Sequence, residues 1–286
     1  MAAASHDHRA DLRDVLAFYA EAGADEALHD EPVDRFAAAA QRPAQPPEPS
    51  ARRNPAPAPA SARNEQTPRP AAAPARPAAT VPDEAQAALA RELAGKAATL
   101  AELREAMASF DGCNLKLTAK NLVFADGNPE ADLMLVGEAP GRDEDLEGLP
   151  FVGRSGRLLD RMLVAIGRDR TSAYIANVIP WRPPGNRPPT PHETEICRPF
   201  IERQIELVNP RVLVNLGGPS AKTLLNTTEG ILRLRGNWRV HTTASGIAIP
   251  AMPTLHPAYL LRTPAHKRLA WRDFVEVKMK LAAAQA

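Results

Sequence analysis

Two cysteines, Cys113 and Cys197, are all that 286 residues carry. Neither a disulfide scaffold nor an all-cysteine metal site can be built from them. No apolar run of about eighteen residues occurs, which excludes a transmembrane helix. Aromatics are scarce, at 5% of the chain, and the formal net charge is only +1, so the chain as a whole is no polycation. The first residues are acidic and lack a charged-then-apolar leader pattern, so export is not expected and a cytoplasmic location is.

Proline, by contrast, is abundant. Of 29 prolines, twelve fall between Gln41 and Asp83, where Val81 is the sole large aliphatic residue. Such a stretch cannot bury enough apolar surface to offset its ordering entropy and reads as a disordered Pro/Ala-rich linker. The chain therefore divides into residues 1–40, a linker over 41–83 and a folded domain over 84–286. In the first part Leu12, Val15, Leu16, Tyr19 and Ala20 recur at helical spacing, with Gly23 as a stop. One short amphipathic helix on a long tether suits docking to a protein partner, or folding back onto the domain.

Charge is uneven. From Ile231 onward nine Lys/Arg face only Asp273 and Glu276. A basic C-terminal quarter fits a polyanion touched on one face, and equally a solvated helix surface.

Within the domain, helical and strand signals alternate. Residues 83–110 read as helix. Asp132–Gly137, Ala173–Ile179 and Arg211–Leu216 are short apolar runs that read as buried strands. Arg239–Thr242 and Gly246–Leu255 suggest two more strands joined by a turn. Ser155–Ile166, Pro191–Val208, Ser220–Leu225 and His266–Ala284 read as helices. Continuous apolar strands alternating with helices imply a mainly parallel sheet covered on both faces. Ligands of such folds sit at the carboxyl ends of the strands. The segments there are Glu138–Gly141, Asn177–Asn186, Gly217–Ser220 and His256–Arg262, and they are rich in Gly, Pro, Asn, His and Glu.

Each of these carries possible chemistry beside a plainer use. Phe151, between prolines and glycines, suits stacking on a planar ring or plugging the core. Asn177, at a strand end, offers a donor and an acceptor side by side for the edge of a base, or forms a turn. His256, at another strand end, suits donation to a developing oxyanion, or a structural role.

Their order and wording go further. Gly137-Glu138-Ala139-Pro140-Gly141-Arg142-x-Glu144-Asp145, then Pro150-Phe151-Val152-Gly153-x-x-Gly156, then Asn177-Val178 followed by Arg182-Pro183-Pro184-Gly185-Asn186-Arg187, then His256-Pro257 followed by Arg262, closely resemble the family 4 uracil-DNA glycosylases. The resemblance spans about Phe110 to Phe274. It implies a three-layer α/β/α fold around a central, mainly parallel four-stranded sheet. It also implies hydrolysis of the N-glycosidic bond of uracil in single- or double-stranded DNA by a monomer, initiating base-excision repair.

By the same resemblance Phe151 stacks on the flipped uracil, and Asn177 bonds its N3–O4 edge. His256 donates to O2 as the base leaves, and Glu138 holds the attacking water. Ala139 lines the base site where a related family carries aspartate, and Glu144 walls off C5 against thymine. Leu260, Leu261 and Arg262 form the wedge in the minor groove. Ser155 and Ser220 mark turns whose backbone N–H groups meet phosphates, and Lys267 and Arg268 add positive charge. The competing expectation is a non-catalytic or very slow protein that binds uracil or abasic sites in DNA.

The family's iron–sulfur cluster needs four cysteines. Phe110 and Trp181 stand at two of those positions, while Cys113 and Cys197 keep the others, so the cluster is expected to be absent and no cofactor or metal is expected. No basic Lys-Arg-Arg-Ile-His run occurs, so covalent trapping of DNA, known in a related branch, is not expected.

Overall fold

A computed structural model describes residues 83–283. The expected helix around Leu12–Tyr19 and nearly all of the Pro/Ala-rich linker lie outside the described residues.

The expected helix over 83–110 is two helices, α1 (Asp83–Lys96) and α2 (Leu100–Ser109). The break has a local cause. Thr99 accepts from the Glu102 N–H, and the Glu102 carboxylate reaches back to the Ala98 N–H at 2.7 Å, which starts a new helix.

Six strands form one sheet: β1 (Asp126–Gly127), β2 (Leu133–Gly137), β3 (Tyr174–Asn177), β4 (Val212–Leu216), β5 (Arg239–Thr242) and β6 (Ala248–Thr254). Their order is β1-β3-β2-β4-β6-β5. The central four, β3-β2-β4-β6, are parallel, and β1 and β5 add antiparallel edges. The expected four-stranded parallel core is thus present with one extra strand on each side. Strands β2 and β4 are buried along their whole length, as strands covered on both faces must be.

Successive side chains point to opposite faces. Leu133 and Leu135 of β2 pack with Leu159 and Leu163 of α4 (Arg154–Ala165) and with Phe274 and Val277 of α9 (Lys267–Ala283). Met134 and Val136 pack on the other face with α2 and with α5 (Pro191–Val208), through Leu103, Phe200, Ile201 and Ile205. The result is three layers.

The shorter helices are α3 (Arg142–Glu147), α6 (Gly218–Leu225), α7 (Ile231–Leu234) and α8 (Pro257–Arg262). The register places Gly137 beside Asn177, and Leu216 beside Thr254. All four parallel strands therefore end at one edge. The end of β6 is anchored from below, because the Thr254 hydroxyl donates to Asp273 at 2.6 Å and Arg235 pairs with the same carboxylate. No described helix is long and apolar enough to cross a membrane.

Candidate active site

A cleft of about 560 Å³ opens at that edge. Its walls come from the four strand-end segments: Glu138, Ala139 and Glu144 after β2, Asn177 and the 183–189 loop after β3, Gly217–Pro219 after β4, and His256 and Arg262 after β6. Phe151 and Ser155 also line it.

The floor of the cleft exists because Gly137 has no side chain. A Cβ there would lie 2.4 Å from Asn177 Oδ1 and 2.6 Å from the Phe151 ring. The Asn177 carboxamide and the Phe151 ring thus close over the end of β2 in space that only glycine leaves open. Asn177 is buried, and its Oδ1 has no hydrogen-bond partner. A buried acceptor left open costs about 1–3 kcal/mol, which a ligand N–H would recover.

The Phe151 and His256 rings lie 5.5 Å apart, centroid to centroid, at an interplanar angle of 28°. His256 precedes α8, and its Nδ1 accepts the Ala258 N–H at 3.1 Å. An Nδ1 that accepts leaves the ring proton on Nε2. Burial, followed by the nearby Arg262 charge, lowers the imidazole pKa to about 4. His256 is therefore a neutral donor at physiological pH. Gly217 makes room for it. Its φ is +95°, and a Cβ at that position would come within 3.1 Å of the His256 Cβ.

Glu138 projects into the cleft beside Ala139, and burial raises its carboxyl pKa. A carboxylate held in that way is a stronger hydrogen-bond acceptor for water.

No helix is expected from the sequence over residues 142–147, yet Glu144 lies in the short helix α3. It is buried, and its carboxylate accepts three backbone N–H groups, from Gly141 at 3.0 Å and from Val152 and Gly153 at 3.1 Å each. It still lines the cleft, so it clamps the Gly141 turn to the Phe151 loop from the cleft side.

Other expected residues distribute unevenly. Leu261 and Arg262 are exposed at the rim, whereas Leu260 is only 1% exposed and packs with Leu255 and Ala270. Leu260 thus belongs to the core and is no wedge. Ser220 is fully buried, with its hydroxyl on the Val136 carbonyl at 2.7 Å. In that turn only Gly217, Gly218 and Pro219 reach the cleft. Ser155 lines the cleft, although the neighbouring Gly153 N–H is already committed to Glu144. Lys267 and Arg268 are exposed but lie outside the cleft.

Sequence reasoning passed over Tyr259, which lines the cleft and bonds His266 at 2.8 Å, and Arg170, which lies behind it. Tyr259 stands at an unspecified position of the His256–Arg262 motif, and Arg170 lies outside every motif, so nothing in the wording marks either of them.

Cys113 and Cys197 lie together, Sγ to Sγ 3.8 Å, both buried. The hydrogen bond that Cys197 donates to Cys113, together with burial, holds the Cys197 thiol well above its usual range. Phe110 stacks against Trp181 at 6.5 Å and meets Phe200 edge-on at 5.2 Å. Among the described residues no three His, Cys, Asp or Glu side chains group closely enough to hold a metal ion.

The sequence model of the "Uracil DNA glycosylase superfamily" matches residues 124–275. The "Type-4 uracil-DNA glycosylase" of Archaeoglobus fulgidus is 41% identical over 180 residues, covering 61% of this chain and 89% of the relative. That of Saccharolobus solfataricus is 38% identical over 178 residues, covering 59% and 81%. That of Thermotoga maritima is 39% identical over 172 residues, covering 58% and 86%.

Proposed function

The chain belongs to the uracil-DNA glycosylase superfamily, and from that premise we propose how its cleft hydrolyses the N-glycosidic bond of uracil in DNA, leaving an abasic site for base-excision repair. The target base lies inside the duplex, so the nucleotide rotates out of the stack before chemistry begins.

One observation carries the assignment of roles: the buried, unpartnered Asn177 Oδ1 beside the Phe151 ring. Uracil presents an N3–H to that oxygen and O4 to the amide NH₂. Cytosine has no N3–H and presents an amino group where O4 would be. It would therefore leave Asn177 unmatched and buried, which is the strong form of discrimination. Phe151 supplies the stacking platform.

As the bond breaks, positive charge grows on the sugar and negative charge on the base. The His256 Nε2–H meets the developing charge at O2 as a preorganised neutral donor, an arrangement worth about 3–4 kcal/mol at an oxyanion hole. Glu138 orients the water that captures the sugar. The Glu144 carboxylate, fixed by three N–H groups, forms a rigid wall at C5 that a thymine methyl would strike. At the rim, Leu261 takes the place of the flipped base, and Arg262, Lys267, Arg268 and the N–H groups around Ser155 meet phosphates.

The resemblance to the family 4 enzymes implies an iron–sulfur cluster, but the residues present here do not fit one. Two of its ligand positions are the buried rings of Phe110 and Trp181, and the two thiols left share a proton-holding contact. We propose that this enzyme belongs to a branch that works without the cluster, its volume refilled by aromatic packing. The proposed active form is a monomer on single- or double-stranded DNA.

The test is a uracil-containing oligonucleotide incubated with excess enzyme and then treated with alkali. Strand breakage at the uracil position, absent with thymine or cytosine there, is the expected result. A retarded band without breakage would make this chain a binder and overturn the assigned chemistry.

A further inference from the structure

Phe151 is held in a backbone conformation that it would not choose. Its φ is +56°, in the left-handed region that bulky residues avoid. Two charged side chains grip the peptide groups around it from opposite sides. On the cleft side, Glu144 accepts the N–H groups of Val152 and Gly153. On the other side, Arg170 donates to the Pro150 carbonyl at 3.1 Å and to the Phe151 carbonyl. The guanidinium is itself fixed, by Asp160 at 2.8 Å and Asp126 at 2.5 Å. Gly156 completes the hold, since a Cβ there would lie 1.6 Å from the Phe151 carbonyl oxygen.

Arg170 does not line the cleft. Its two carboxylates account for an ion pair, and a lysine would satisfy that much. They do not account for the two further donors aimed at consecutive carbonyls, which only a planar guanidinium presents in fixed geometry. We propose that Arg170 is a positioning residue for uracil hydrolysis: through the carbonyls of Pro150 and Phe151 it sets the height and tilt of the Phe151 ring above the base. The proposal rests on the reading of Phe151 as the stacking platform.

A double-mutant cycle on the full chain tests it, with single-turnover rates on a uracil oligonucleotide measured well below each variant's melting temperature. Arg170→Ala is expected to slow the reaction by about 10²-fold, the scale of an ångström-sized misplacement. Arg170→Lys is expected to recover only a small part of that loss. In a Phe151→Ala background Arg170→Ala is expected to cost nothing further, because the ring that it positions is gone.

Should Arg170→Ala fail to fold, Asp160→Asn loosens the same guanidinium from a half-exposed position. It is expected to slow the reaction by about tenfold, again only when Phe151 is present. A merely structural role would lower melting temperatures in both backgrounds and leave the rates alone. Additive rate losses, or a full rate in Arg170→Ala, would overturn the proposal while leaving the Phe151 platform standing. A full rate in Phe151→Ala would instead remove the platform and the proposal together.

Discussion

His256 enters the cleft with its proton already assigned, and pH should reveal that. Its imidazole is depressed to about 4, against about 6.5 in an unfolded chain. The unfolded state therefore takes up a proton first as pH falls, and acid favours unfolding between those two values. The stability concerned is fully present above pH about 6.5 and is lost on the way to about 4, amounting to about 3 kcal/mol. Urea melts at pH 7 and pH 4.5 should differ by most of that amount in the parent, and by clearly less in His256→Gln. Activity should follow a different group. Burial raises the Glu138 carboxyl pKa, so the rate should fall on the acid side as Glu138 protonates, and Glu138→Gln should flatten that limb at a lower rate. Asn177 presents the opposite balance of stability and function. Its open acceptor costs the folded state about 1–3 kcal/mol. Asn177→Ala is expected to cut the single-turnover rate by at least about 10²-fold while the melting temperature does not fall, as befits a site that trades stability for function.

At the level of elements, the site depends on where strands stop and how closely the next turn approaches. Gly137→Ala places a methyl against Asn177 Oδ1 and the Phe151 ring. Both are side chains that can swing aside, so the fold should survive with a modest loss in melting temperature. The cleft, however, loses its geometry, and the rate on uracil should fall by about 10²-fold. Circular dichroism melts and the alkali assay on one preparation would separate the two effects. These same close approaches explain what was legible in the sequence. The apolar runs expected as buried strands over Asp132–Gly137 and Arg211–Leu216 are β2 and β4, and the helix expected over Pro191–Val208 is α5. The short helices Arg142–Glu147 and Pro257–Arg262 gave no such signal, because each spans six residues and neither shows a period. The first is held by Glu144 reaching back to Gly141, the second by His256 accepting from Ala258. In each case a site residue forms the cap, so motif wording found the residue while missing the helix that it starts. Strand β1, of two residues, gives no periodic signal at all.

Across the whole molecule, the base cleft and the Cys113–Cys197 pair depend on different parts of the chain. The cleft is lined from the carboxyl ends of the four parallel strands, whereas both cysteines belong to the core on the α2–α5 face of the sheet. Composition alone set the limit of two thiols, and the resemblance to the family 4 enzymes implied that Phe110 and Trp181 stand where the other two would be. Only coordinates could show that the aromatic rings pack on one another and on Phe200, because contact between residues so far apart in sequence is a property of the fold. If those rings now do the structural work of a cluster, their removal should behave as a core deletion. Phe110→Ala should cost about 3–5 kcal/mol, the usual range for a buried phenylalanine. Trp181→Ala should cost a similar amount. The single-turnover rate, measured well below the lowered melting temperature, should stay within a few fold of the parent, since neither ring lines the cleft. Protein purified without oxygen should contain no stoichiometric iron or acid-labile sulfide, and a strong chelator should leave its melting temperature unchanged. Iron at about four equivalents per chain, with a broad visible absorbance lost on oxidation, would mean that the aromatic packing is not what fills this region, and the reading of a cluster-free branch would fall with it.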